Sequence, residues 1–187
     1  MSFFNKYSKT VYAIVIAFSM FFSTSVLSSD KGQADKNWIQ ISSGKATWMF
    51  FDVYHARLFA NKPSLPEDFL SDAEPLKLQL CYLKAISADI FIEGANKVLP
   101  KTLTATLQNE VNRLHQSYQP VEPEDCYVLE YTPQSGTQLK LNNQTVFSSQ
   151  VEGFKAVYFG VWLGENPLSE SLKSSLLVPL ISSHIDR

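Results

Sequence analysis

The sequence predicts an α+β domain with a largely antiparallel sheet and helices on one face. The predicted elements follow one another in blocks: strands, two helices, strands, and two more helices. Such blocks are typical of α+β folds, whereas strict alternation of strand and helix favours a parallel sheet. Short turns join the strands of the second block, so those neighbours run antiparallel. Residues 29–187 are enough for one sizeable core and leave no room for a second domain.

Residues 1–28 have the three-part pattern of a secretory signal peptide. Two lysines precede an apolar run over residues 11–22, and small residues follow. We predict cleavage after Ser28, with Ser25 as the alternative site. The other interpretation is a membrane anchor, but the apolar run is shorter than the about 20 residues that a spanning helix needs. The mature domain is therefore predicted to be residues 29–187, periplasmic or secreted, without an integral membrane anchor.

The longest strand-like stretch is residues 44–59, GKATWMFFDVYHARLF, and residues 38–43 predict a strand before it, with a bend between the two. Apolar side chains fall on both faces of such a strand, so both faces are predicted to be covered. Asp52, His55 and Arg57 do not suit a two-sided apolar strand, because a buried charge is unfavourable unless it is paired. These three side chains are expected to be paired, to lie at a solvent-reaching strand end, or to line a ligand cavity.

The middle of the chain predicts a loop, one strand and two helices. Residues 61–75 are rich in proline and acids, which excludes a regular strand. Residues 76–83 alternate, with leucines on the inward face. Ser87 is the predicted N-cap of a helix over residues 88–99, and a second helix over residues 102–118 carries one apolar stripe.

The C-terminal third predicts a three-stranded meander followed by two helices. The strands are residues 126–132, 138–141 and 145–148, separated by turn residues. Residues 153–163 form an aromatic helix, and Ser169 is the predicted start of the last helix.

Two cysteines and a mild charge restrict the chemistry. Cys81 and Cys126 lie in predicted strands, where they form either a disulfide, if the Cα atoms come within about 7 Å, or two buried free thiols, which we slightly favour. The chain has no CxxC motif and its histidines are scattered at His55, His115 and His184, so no metal site and no cofactor are predicted. A net charge of −2 without a basic cluster argues against a nucleic-acid partner.

Several strings together resemble the chalcone isomerase-like family, in particular its bacterial secreted branch. They follow one another in the expected order over most of residues 39–177. The strings are VYHARL at 53–58, LQLCYLKAIS at 78–87, PEDCYVLEYTPQSGTQLKLNN at 123–143 and FKAVYFGVWLGENPLSESLKSSLL at 154–177. The resemblance implies an open-faced sandwich with a ligand cleft between the sheet and the helices.

The resemblance also implies which residue types a catalytic member of the family carries. True chalcone isomerases use an arginine, assisted by threonine, tyrosine and asparagine side chains, whereas other members are non-catalytic and some bind fatty acids. Met49 and Val161 stand where the isomerases have threonines, and Asn96 stands near the family's asparagine. No arginine occurs in residues 1–54, the region of the essential one. We therefore predict no catalytic residue.

The expected function is binding of an apolar or amphipathic, fatty-acid-like molecule by a periplasmic, non-catalytic protein of undetermined oligomeric state. Arg57 or Lys84 would anchor a carboxylate, although we favour a salt bridge or a capped strand end for Arg57 and a solvated surface position for Lys84. The full set of candidate ligand-binding residues is Arg57, His55, Met49, Tyr54, Lys84, Asn96 and Val161. One alternative is an isomerase or lyase acting on an enone or phenolic compound, with Tyr54, Tyr82, Tyr158 and His55 as candidate groups. Another is an envelope interaction protein with a filled cleft.

Overall fold

The computed structural model describes residues 38–178, in which a six-stranded sheet carries four helices. The strands are β1 Ile39–Trp48, β2 Phe51–Ala60, β3 Leu76–Tyr82, β4 Cys126–Thr132, β5 Gly136–Leu141 and β6 Gln144–Ser149. The helices are α1 Ala88–Val98, α2 Ala105–Ser117, α3 Phe154–Leu163 and α4 Glu170–Leu176.

The sheet is an antiparallel meander in which the strands lie side by side in chain order from β1 to β6. Helices α1 and α2 are inserted between β3 and β4, whereas α3 and α4 follow the last strand. The predicted α+β class with a largely antiparallel sheet is thereby confirmed.

One face of the sheet forms the core because alternate residues of each strand point to the same side. Aligned residues of five neighbouring strands form a continuous buried row, Leu58, Leu78, Leu129, Leu139 and Phe147. Helix α3 packs onto this side with Phe154, Tyr158 and Phe159, all fully buried. Burial of each such side chain contributes about 1.5 to 3 kcal/mol, so this layer is the main source of stability.

The first hairpin differs from the prediction of one strand over residues 44–59. Strand β1 continues to Trp48, and the chain turns at Met49, whose φ is 57°, and Phe50. The side chains of Trp48, Met49 and Phe50 are 74%, 73% and 93% exposed. These apolar residues form the tip of a hairpin that extends beyond the covered part of the sheet, so their hydrophobicity does not indicate burial.

Gly44 lies inside β1 and does not form the predicted bend. A Cβ atom there would lie 2.8 Å from Leu172 Cδ1 of α4, so the glycine allows α4 to approach the strand closely. The Ser42 hydroxyl donates to the Leu176 carbonyl at 2.6 Å in the same contact. Helix α4 therefore covers the inner side of β1.

No helix within residues 38–178 covers the outer face of the sheet along β2, contrary to the expectation that both faces of this strand are covered. His55 and Arg57 of β2 are exposed there, since the described helices all pack on the inner face. Cys81 of β3 and Cys126 of β4 lie opposite each other on this face, with Cα atoms 4.1 Å apart, and form a disulfide. The preference for free thiols was therefore wrong, because the strand register brings the two cysteines together.

Two of the four described helices begin at a residue whose hydroxyl caps them, and only Ser169 of these two was predicted. The Thr104 hydroxyl accepts a hydrogen bond from Leu107 N, and the Ser169 hydroxyl accepts one from Leu172 N. Ser87 occupies the predicted N-cap position of α1 without a capping bond from its side chain. Because Thr104 is the cap, α2 begins three residues later than the apolar stripe alone predicts.

A buried lysine fixes the loop of residues 61–75 to α3. The Lys155 ammonium donates to the carbonyl oxygens of Phe69, Ser71 and Glu74, at 2.6, 2.5 and 2.6 Å. Burial lowers the pKa of Lys155 to about 8, so the amine is still charged at neutral pH. The ammonium thus replaces a set of hydrogen bonds that this irregular loop cannot make within itself.

No helix within residues 38–178 has the length and apolar character that a membrane crossing requires. The predicted signal peptide, residues 1–28, and its cleavage site lie outside the described residues.

Candidate functional site: a tyrosine-rich cleft between sheet and helices

A cleft of about 470 Å³ separates the inner face of the sheet from α1, α3 and the start of α4. This volume lies within the range of small-molecule sites. Most of its lining side chains are apolar or aromatic, and they include Val53, Tyr54, Leu80, Tyr82, Phe91, Tyr118, Tyr127, Leu129, Leu139, Val161 and Trp162.

Aromatic rings from three elements form the wall of the cleft. Tyr82 ends β3 and contacts Phe91 of α1, with ring centroids 5.3 Å apart. Tyr127 of β4 meets Tyr82 edge to face, at 6.2 Å between centroids and an interplanar angle of 87°. Tyr118, directly after α2, completes the group with centroids 5.1 Å from Phe91 and 5.4 Å from Tyr127. Edge-to-face packing of this kind fixes the rings, so the cleft wall is rigid.

Two tyrosine hydroxyls of the cleft accept hydrogen bonds from α3. Trp162 Nε1 donates to the Tyr54 hydroxyl at 3.1 Å. The Tyr158 hydroxyl donates to the Tyr118 hydroxyl at 2.9 Å. Tyr54 and Tyr118 therefore use an acceptor lone pair within the protein, and each keeps its own O–H proton.

The other two hydroxyls differ from each other. The Tyr127 hydroxyl accepts from the Gln119 amide at 2.8 Å and donates to the Gln119 carbonyl at 3.0 Å. The Tyr82 hydroxyl has no hydrogen-bond partner among the described residues, although the residue is only 3% exposed. Of the four hydroxyls, that of Tyr82 is thus the one that makes no hydrogen bond within residues 38–178.

All these phenols stay protonated at neutral pH. Burial raises the pKa of Tyr54 to about 12. Burial, together with the neighbouring phenols, raises the pKa of Tyr82 and of Tyr158 well above 10, and burial also raises the pKa of Tyr118. The cleft therefore presents hydrogen-bond donors and no basic phenolate.

Charge is confined to the rim. Among the described lining residues, the ionisable groups other than tyrosine are Glu93 and Lys97, which pair at 2.7 Å one turn apart on the exposed side of α1. The hydrogen bond from Lys97 lowers the pKa of Glu93, so this carboxylate is ionised at neutral pH. The rim is electrically balanced, and the interior carries no charged side chain.

The structure divides the candidate residues of the sequence into two groups. Tyr54 and Val161 line the cleft. Met49 is in the exposed hairpin turn, Asn96 is on the exposed side of α1, and Lys84 lies beyond β3 with its Nζ 4.4 Å from the Phe51 ring centroid. None of these three lines the cleft.

His55 and Arg57 lie on the opposite face of the sheet. They border a separate, shallow pocket of about 270 Å³ on the outer face. Asp52, the acidic residue of this strand, pairs with Lys45 at 2.5 Å and accepts from the Thr47 hydroxyl at 3.0 Å, and the Lys45 bond lowers its pKa. The paired interpretation therefore holds for Asp52, whereas Arg57 reaches solvent.

Sequence reasoning missed Phe91, Tyr118, Tyr127 and Trp162 as cleft residues. The signal that was available is strand alternation, which places Tyr127 on the inward face. The contribution of Tyr118 depends on the packing of α2 against the sheet, which no local pattern contains.

Comparison with known proteins gives the family of this chain and a solved structure with a similar fold. The family model described as chalcone isomerase-like matches residues 42–178. The chain belongs to the chalcone isomerase-like family. A solved structure with a similar fold is that of a fatty-acid binding protein from Arabidopsis thaliana, with a TM-score of 0.59 and 12% identity over 75% of this chain and 86% of that chain. At that identity the similarity establishes the fold. Among curated proteins, none matches this chalcone isomerase-like chain significantly.

Proposed function

We propose that this chalcone isomerase-like protein is a periplasmic, non-catalytic binder of an apolar or amphipathic small molecule. The observation that carries the proposal is the cleft of about 470 Å³, whose wall is aromatic and apolar. The Arabidopsis protein with a similar fold is named as a fatty-acid binding protein, which supports a fatty-acid-like ligand here.

The lining supplies the driving force for such binding. Apolar surface removed from water contributes about 25 cal/mol per Å². A ligand that loses about 400 Å² of apolar surface would gain roughly 10 kcal/mol before the loss of its translational and internal freedom is subtracted. The rigid ring contacts around Tyr82 and Phe91 reduce the reorganisation that binding requires.

The same geometry supports a non-catalytic role. Val161 lines the cleft where the isomerases that this chain resembles have a threonine, and valine cannot hydrogen-bond a substrate. Met49, at the other such position, points into solvent from the hairpin turn. Arg57 is on the outer face, so it cannot stabilise an anion in the cleft.

The periplasmic location is supported by two independent observations. Residues 1–28 have the pattern of a secretory signal peptide. The Cys81–Cys126 disulfide suits an oxidising compartment, since such bonds are rare in reducing cytosol.

Thermal melts with a matched pair of variants test the binding role. Ala95 lies on the cleft side of α1, and Ala95→Phe would fill the cleft, whereas Ala156→Phe adds the same ring on the exposed side of α3. The ligands are dodecanoate, methyl dodecanoate and dodecane. A ligand at about 100 times its dissociation constant stabilises the folded state by about 2.7 kcal/mol. At least one ligand should raise the melting temperature of the wild type and of Ala156→Phe, but not that of Ala95→Phe.

Two outcomes would contradict the binding role of the cleft. If none of the three ligands stabilises the wild type, or if Ala95→Phe is stabilised as much as the wild type, the cleft is not the binding site.

A further inference from the structure

We propose that the cleft selects a lipid with an uncharged polar head whose carbonyl oxygen accepts a hydrogen bond from the Tyr82 hydroxyl. This inference rests on the proposed function and adds the chemical class of the ligand. An ester, a ketone or an aldehyde on an apolar chain has the required head, whereas an ionised fatty acid does not.

Tyr82 is the side chain that would donate a hydrogen bond to the ligand. Its hydroxyl lies in the cleft wall with 3% of the residue exposed and with no partner among residues 38–178. Tyr127 on the neighbouring strand shows that this wall can satisfy a hydroxyl fully, since its O–H and its lone pair both bond to the Gln119 backbone. Because the hydroxyl borders the cleft and makes no hydrogen bond within the described protein, an acceptor on a ligand in the cleft can gain a hydrogen bond from it.

The hydroxyls around Tyr82 favour a ligand head that accepts hydrogen bonds. Tyr54 accepts from Trp162, and Tyr118 accepts from Tyr158, so the O–H proton of each is available for donation. Together with Tyr82, three hydroxyl donors therefore line the cleft. No described residue that lines its interior carries a charged acceptor such as a carboxylate. A carbonyl oxygen has two lone pairs and can accept from more than one of these donors.

The positions of the cationic side chains favour a ligand whose polar head is uncharged. Lys97 at the rim is paired with Glu93. Lys155 is buried, but three backbone carbonyls hold its ammonium outside the cleft. Arg57 lies on the outer face of the sheet. A carboxylate at Tyr82 would lose its hydration without meeting a cation, whereas an ester head has much less hydration to lose.

The test compares dodecanoate, methyl dodecanoate and dodecane, which share one chain and differ in the head. Dissociation constants are measured at neutral pH from tryptophan emission, because Trp48 and Trp162 line the cleft, and by calorimetry. We expect the ester to bind at least tenfold more tightly than dodecanoate and also more tightly than dodecane.

Two variants locate the hydrogen bond. Tyr82→Phe keeps the ring and removes the hydroxyl, so the affinity for the ester should fall about fivefold or more, the worth of one neutral hydrogen bond, while dodecane binds as before. Tyr131→Phe is the control, because this buried tyrosine of β4 bonds to the Asp72 carbonyl and lies outside the cleft. Its ester affinity should equal that of the wild type.

The inference is overturned if dodecanoate binds as tightly as the ester, or if Tyr82→Phe binds the ester with unchanged affinity. Either result leaves cleft binding itself in place. If none of the three ligands binds, the proposed function fails and this inference fails with it.

Discussion

Replacement of Lys155 by methionine is the perturbation whose effect the structure determines best. Methionine has a similar length and keeps the apolar stem packed in the core. It removes the ammonium that bonds to the carbonyls of Phe69, Ser71 and Glu74. It also removes the cation that lies 4.9 Å from the Tyr131 ring centroid. The loop of residues 61–75 would lose its main connection to α3.

The magnitude follows from these contacts. A hydrogen bond to a charged group contributes about 1.5 to 3 kcal/mol, and three are lost. Methionine avoids the unfavourable burial of an ammonium ion, which offsets part of the loss. We expect the free energy of unfolding to fall by about 3 to 5 kcal/mol, which corresponds to a decrease of roughly 6 to 20 °C in melting temperature for a domain of this size.

Urea unfolding and thermal melts measure this change. Lys101→Met is the control, since Lys101 is exposed in the loop between α1 and α2 and its replacement should change stability by less than about 0.5 kcal/mol. A Lys155→Met protein as stable as the Lys101→Met control would refute the structural role of the buried ammonium.

Three further outcomes are expected. Replacement of both Cys81 and Cys126 by alanine should lower stability by about 4 kcal/mol, the chain-entropy value for a loop of this length; urea curves equal to those of the oxidised wild type would contradict the disulfide. Burial lowers the pKa of His115, so the unfolded state binds protons first and stability should fall as the pH decreases through about 6.5. His115→Gln should flatten this slope, and an unchanged slope would assign the pH dependence elsewhere. Arg57→Leu should change neither stability nor ligand affinity by more than about 0.5 kcal/mol, whereas a tenfold loss of affinity would return Arg57 to the binding site.

The fold could be predicted because its determinants are local. Strand β4 was predicted at its observed bounds, and the alternation of β3 identified the inward leucines. Ser169 starts α4 for a reason that a few neighbouring residues contain. These signals fixed the block order, and the block order fixed the fold class.

The first hairpin could not be predicted because hydrophobicity there does not indicate burial. Trp48, Met49 and Phe50 resemble the centre of a buried strand, yet they form an exposed turn. The turn depends on the positive φ of Met49, which a residue other than glycine adopts only where its surroundings impose it.

Part of the site was predicted, and the alternation of side chains along a strand explains why Arg57 was placed in it wrongly. Tyr54 and Arg57 are three residues apart on β2, so they must point to opposite faces. The cleft lies on the Tyr54 side, because the helices of residues 38–178 cover that face. Which face the helices cover is a long-range property, and so are the partners of Tyr82 and Lys155.

Native mass spectrometry of protein purified from its own cells without added ligand tests the binding role of the cleft most directly. The wild type should carry one additional small mass that organic solvent removes, and Ala95→Phe, with its cleft filled, should not carry it. A wild-type spectrum with the mass of the bare chain alone, together with no stabilisation by the three twelve-carbon ligands, would contradict the binding role of the cleft.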